Sequence, residues 1–231
     1  MTRAPEPSAR HIRYAIGRAR RRPSELPAIT LWYLVIAWTL FLVVAAIDFT
    51  NRRELADPFG YSIGDLGENL PRALVVLPVA TFVNVGVLQI LYVTAILAAV
   101  SPRAVARDGQ LLTAAVFLGT SIAAGLVAGL VLHTLDGRVT HPILDEAWER
   151  SWNGGSAGCY GLIGLLAARS RRPWLMLGLV GAWEIGLVGA HLRSFTPAFH
   201  VSALLAGFVA GRWLSRRTTP DAAATTAVPL A

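Results

Sequence analysis

Trp152-Asn153-Gly154-Gly155-Ser156-Ala157-Gly158-Cys159-Tyr160-Gly161-Leu162 is where a polar, glycine-rich entry becomes an apolar helical run, with a serine just inside its start. Small residues let a backbone approach its neighbours closely. The run continues without a charge to Arg169. A hydroxyl in such a run stands at hydrocarbon depth rather than in a surface loop, so the rest of the chain must supply a bilayer-embedded bundle around it.

Composition agrees. Hydrophobic residues make up 54% of the 231 and charged residues 15%, with a mean hydropathy of +0.52. A soluble domain of this length carries far more charge. All 21 basic residues are arginine. The net charge of +7 does not point to nucleic acid, because the arginines flank apolar runs, where they set topology. The first apolar run begins after residue 25 and is long enough to span, which is unlike a cleavable signal peptide. A lone cysteine, Cys159, excludes an internal disulfide and offers no metal-site spacing. No cofactor is called for, and Cys159 reads as a small apolar filler.

Outward from the quoted stretch, the apolar runs resolve into six helical spans. Residues 1–25 form a basic tail, in which the stretch from His11 to Arg22 has the makings of a short surface helix. The first span is Leu26–Ile47, and residues 49–72 form a polar, ordered interfacial loop. Ala73–Val100 is a long second span with Pro78 as a first-turn residue and Asn84 inside it; an amide at that depth needs a partner. Leu111–His133 is the third, with Gly125 and Gly129 spaced for close helix packing. The fourth runs from near Trp152 to Arg169, the fifth from Trp174 to His191, and the sixth from Ala198 to Leu214. The membrane domain thus covers 26–217, and 218–231 is an Ala/Thr/Pro tail of disordered composition. With the amino terminus cytoplasmic, 15 of the 21 arginines fall inside, counting Arg212 at the inner end of the sixth span, and nine of the 14 acidic residues outside, as the positive-inside rule requires. Both termini are then cytoplasmic.

This topology sends the fourth and sixth spans in from the outer side. Ser156 lies four or five residues into one and His200 three to five into the other, which at about 1.5 Å per residue places them at similar depth. The helical stripe from Ser156 reads Cys159, Tyr160, Ile163, Gly164; that from His200 reads Ala203, Leu204, Gly207. Each polar residue heads a small-residue groove suited to close packing. Serine in a spanning helix is commonly a packing residue, and a histidine at a span end commonly an interfacial one. Together at one depth they can form a dyad, the imidazole taking the hydroxyl proton for hydrolysis. No third, acidic orienter is evident at this depth. The fifth span holds one carboxyl, Glu184, with no obvious basic partner; it reads as a neutral acid bonded to a neighbouring helix.

These residues resemble the rhomboid family of intramembrane serine proteases. That family's fourth span has Gly-x-Ser, an aromatic four residues on and then small residues, matched by Gly154-Gly155-Ser156, Tyr160, Gly161 and Gly164. Its sixth span opens on a histidine in a small-residue helix, matched by His200, Ala203 and Gly207. The resemblance implies a six-helix, all-α bundle in a bacterial plasma membrane. It implies Ser156 as nucleophile, His200 as base, Tyr160 stacked on the imidazole, and Asn84 helping the Ser156 backbone N–H hold the oxyanion. It also implies lateral entry of single-span membrane-protein substrates.

Two other functions fit. Where the family usually has a histidine four residues before the asparagine, this chain has Ala80. That feature suits a catalytically inactive rhomboid-like protein that binds membrane-protein clients. A small-solute or proton carrier would rest on Glu184, but the inverted repeats and broken helices of carriers are not apparent in the sequence.

Overall fold

The computed structural model describes residues 26–48, 51, 57–190 and 195–217. The basic amino-terminal tail, the start of the first loop, the turn at 191–194 and the carboxy-terminal tail lie outside these residues.

The described chain is all-helical. A first helix, α1 (Ala28–Ile47), starts after Pro27. Its Tyr33, Ala37 and Phe41 turn inward, while Trp32, Leu42, Val43 and Ile47 point out. Apolar side chains on the outer face of an apolar helix are what a lipid solvent permits and water does not. Four helices are long and apolar enough to cross a membrane: α1, α4 (Val87–Asp108), α5 (Gln110–Leu135) and α9 (Thr196–Arg217).

Between α1 and α4 the polar loop folds into a 3-10 turn (Asp57–Phe59) and two helices, α2 (Gly64–Glu68) and α3 (Leu70–Ala80). Asn69 caps α3 by accepting the Arg72 N–H at 3.2 Å. The Arg72 guanidinium pairs with Asp65 and donates to the carbonyl of Pro58 at 3.0 Å, so one side chain ties together both ends of the segment. Of the loop expected over 49–72, the described residues 57–72 are folded in this way.

The second span departs from expectation. Instead of one helix over 73–100, the chain breaks at 81–86 between α3 and α4. Pro78 lies in the last turn of α3, not the first turn of a buried helix. It removes a backbone donor and crowds the preceding turn, and the extended Gly86 then opens α4. Irregular backbone inside a membrane protein must find polar partners, and it does. The Ala80 carbonyl accepts the Gly154 N–H at 2.7 Å. Asn84 Nδ2 donates to the Phe82 carbonyl at 2.9 Å. Gln89 Oε1 accepts the Val85 N–H at 3.2 Å, and its Nε2 donates to the Asn153 carbonyl at 3.1 Å. Broken backbone and serine loop therefore satisfy one another.

After a short helix α6 (Pro142–Glu149) comes α7 (Ser156–Ala168), thirteen residues of which eleven are buried. At about 1.5 Å per residue it is roughly 20 Å long, short of the ~30 Å hydrocarbon layer. Helix α7 separates two cores. Cys159, Leu162 and Leu165 face α1, α4 and Phe117; Ala157 and Tyr160 face α3, α5 and α9. Glycines let its neighbours in. A Cβ on Gly161 would fall 1.8 Å from Thr120 Oγ1, and one on Gly164 2.1 Å from the Leu204 carbonyl oxygen. Gly125 and Gly129, expected at a close helix–helix contact, lie against the side chains of Leu77 on α3 and of Tyr61. Helix α8 (Pro173–Ala190) follows, turning Trp174, Leu179, Trp183 and Ile185 outward.

At the far end of α7, Arg169 pairs with Asp108 at the end of α4, their side chains only 3% and 10% exposed. Breaking such a pair strands a buried charge. Arg169→Met is expected to lower stability by about 3–5 kcal/mol, read as thermal unfolding in detergent. Adding Asp108→Asn should restore most of it. A single variant as stable as the parent would show that the pair is solvent-screened.

Candidate active site

The two glycines before Ser156 each do a different job. Gly154 has φ +100°, a conformation that L side chains rarely adopt, and a Cβ there would lie 2.2 Å from Gln89 Nε2. Gly155 lies against Tyr33, whose ring carbon would be 2.6 Å from an added Cβ. The turn can thus lie flat on α1 and α4 and deliver Ser156 as the first residue of α7. The expected helix entry at Trp152 is displaced by these four residues. Amides in the first turn of a helix have no intrahelical acceptor, and they carry the positive end of the helix dipole. The nucleophile candidate therefore heads a helix whose free N–H groups suit a developing negative charge.

His200 is the fifth residue of α9. Its Nε2 lies 2.9 Å from Ser156 Oγ, hydrogen-bond distance. Tyr160, one turn after the serine, stacks on the imidazole with ring centroids 4.2 Å apart and planes 9° apart. The structure thus brings Ser156, His200 and Tyr160 together. The helices that carry them meet where predicted: a Cβ on Gly207 would lie 1.9 Å from the Gly161 carbonyl oxygen, and Ala203 is fully buried.

One expectation is overturned. An acidic group does stand at this depth: Glu184, 1% exposed, reaches in from α8. Its Oε2 lies 2.9 Å from His200 Nδ1, and the Tyr160 hydroxyl donates to its Oε1. Glu184 does have a basic partner, and it is the histidine itself. The sequence carried half of the signal, because a carboxyl in an apolar helix needs a partner. Which partner depended on how α8 rotates against α9, and no periodicity reports that.

Asn84, which the resemblance implied as an oxyanion donor, has its hydrogen bonds on other groups here. Its Oδ1 accepts from the Tyr33 hydroxyl at 3.2 Å and its amide donates to Phe82. Among the described residues none of its hydrogen bonds goes to Ser156. It lies close to the serine loop, its Oδ1 3.5 Å from where a Gly154 Cβ would be. Its geometry is that of a brace. Gln89, which sequence reading passed over, braces the same loop directly. An amide in an apolar run was as visible at 89 as at 84.

Aromatic packing fixes both sides of the pair. Trp152 stacks on Phe199, 4.9 Å between centroids and 6° between planes. Tyr61 and Phe195 meet Phe199 edge-on, and Tyr61 and Trp152 exchange backbone hydrogen bonds of 2.9 and 2.7 Å. The residue before the histidine and the one four before the serine are thereby locked together. Cys159 is buried and only brushes the Val93 carbonyl. No protein-family model, no characterised protein and no solved structure matches this chain, so the functional reading rests on the geometry itself.

Proposed function

We propose that the chain is a rhomboid-like intramembrane serine protease cleaving membrane-protein substrates. The observation that carries this reading is the 2.9 Å contact from Ser156 Oγ to His200 Nε2 in a buried site. Ser156 Oγ attacks the scissile carbonyl carbon while its proton passes to Nε2. The C–N bond then breaks and the departing amine takes that proton. Water, deprotonated in turn by Nε2, releases the acyl group. The oxyanion is held by first-turn amides of α7, the Ser156 N–H among them. In this reading α7 and α8 complete six spans, both termini are cytoplasmic, and the 57–80 segment lies in the outer leaflet beside the site. Substrates are single-span proteins that enter from the bilayer and unwind near small or helix-breaking residues.

A second reading, a rhomboid-like protein that only binds membrane-protein clients, is favoured by one observation. Ala80 has no side-chain donor and the Asn84 amide donates to the Phe82 carbonyl, and losing one oxyanion donor costs about 10²–10³ in rate. A fluorophosphonate probe separates the two. It should label the wild type and not Ser156→Ala. Equal labelling of both, or of neither, favours the client-binding reading.

A further inference from the structure

We propose that Glu184 is the positioning residue of a Ser156–His200–Glu184 triad, held in place by the Tyr160 hydroxyl; the proposal rests on the hydrolase reading above.

The bond pattern admits two proton arrangements with opposite consequences. If Glu184 were a neutral acid donating to His200 Nδ1, the ring proton would sit on Nε2 and point at Ser156 Oγ. That imidazole has no lone pair for the serine proton. If Glu184 is a carboxylate, Nδ1–H donates to Oε2 and Nε2 faces Oγ as an acceptor. The hydrolase reading requires the second, and the contacts of Glu184 suit it. Both carboxyl oxygens already have a donor available, Tyr160 O–H on Oε1 and the imidazole on Oε2. A carboxylate uses both, whereas a protonated acid would fill the Nδ1 contact with its own hydrogen and leave Nε2–H aimed at Ser156 Oγ, an arrangement that cannot take up the serine proton. A buried carboxyl is retained as an anion only where such donors converge.

The arrangement also fixes the ring in space. Tyr160 contacts the imidazole face and, through its hydroxyl, the carboxyl that grips the imidazole edge. Plane and rotation are thus set by one side chain from α7 and one from α8, while the base comes from α9. During attack the proton moves from Oγ to Nε2 and stays there; Glu184 remains ionised and stabilises the imidazolium that forms.

Two readouts test this in the full-length protein. The first is nitrogen NMR of ¹⁵N-histidine-labelled protein in detergent, with His200 assigned by difference from His200→Ala. A protonated Nδ1 and an unprotonated Nε2 are expected in the wild type and in Ser156→Ala, and that preference should be lost in Glu184→Gln. The second is cleavage kinetics. Glu184→Gln is expected to lower kcat by about 10²–10⁴-fold with little change in KM. Tyr160→Phe, which keeps the stacked ring and removes only the O–H donor, should lower kcat about tenfold. It gives a second measurement if Glu184→Gln folds poorly. Protonated Nε2 in the wild type, or Glu184→Gln turning over at the parent rate, overturns the proposal. Wild type unlabelled by the fluorophosphonate probe sinks the hydrolase reading instead, and the nitrogen spectra still decide what Glu184 does to the ring.

Discussion

His200→Ala is expected to abolish cleavage of a reconstituted single-span substrate, by on the order of 10⁴–10⁶ in kcat, while the protein still folds. The size follows from the geometry. Ser156 Oγ has one base within reach, at 2.9 Å, and a serine hydroxyl without a base is a poor nucleophile. Survival of the fold follows from what holds α9. Phe199 is pinned between Trp152, Tyr61 and Phe195, and Gly207 lies against Gly161. Neither contact uses the imidazole, although its loss leaves buried Glu184 with the Tyr160 hydroxyl as its remaining partner and lowers stability. A cooperative unfolding transition above the assay temperature, beside a lost rate, would place the effect in the chemistry. Turnover within tenfold of the parent would mean that His200 is an interfacial histidine after all.

The second large effect is on stability. Gly207→Ala is expected to cost about 3 kcal/mol or more and to reduce the folded yield, with Gly207→Val worse. The added Cβ would stand 1.9 Å from the Gly161 carbonyl oxygen and 2.6 Å from its carbon. Backbone cannot step aside as a flexible side chain can, so α7 and α9 must separate, and overpacking of even a methylene costs about 1–3 kcal/mol in cores that can adjust. Separation would also pull His200 from Ser156. Gly181→Ala on α8 is the matched control, because nothing lies within 4 Å of its Cβ position. There alanine should be neutral or slightly stabilising, through helix propensity. Denaturant or thermal unfolding in one detergent reads both. Equal stability of the two variants would show that α7 and α9 tolerate a wider spacing.

Much of the site was legible because it rests on helical spacing. Ser156 and Tyr160 are one turn apart on a single helix, and His200, Ala203 and Gly207 form one stripe, so their neighbours follow from the 3.6-residue period. What escaped lies between helices. Glu184 belongs to a helix of nearly uniform hydrophobicity, where no apolar face stands out to fix its rotation. The break at 81–86 escaped because its residues, Thr81-Phe82-Val83-Asn84-Val85-Gly86, carry no charge to interrupt the apolar run. Only Pro78 and Gly86 hinted at an interruption, and they fit a tilted single helix equally well. Gly125 and Gly129 mark close approach, as expected, but spacing cannot say whether a backbone or a Leu77 or Tyr61 side chain will come near.

The near-complete burial of α7 has a bearing on how this chain tolerates change. On the outer faces of α1 and α8, leucine, valine, isoleucine and tryptophan meet surroundings that do not distinguish their shapes, so a saturation scan there should accept almost any apolar residue. Along α7 the same scan should accept almost none, and the strictest positions should be Gly158, Gly161 and Gly164, which have no side chain at all. The positions that most constrain this protein's ancestry would then be those that contribute least to its mass.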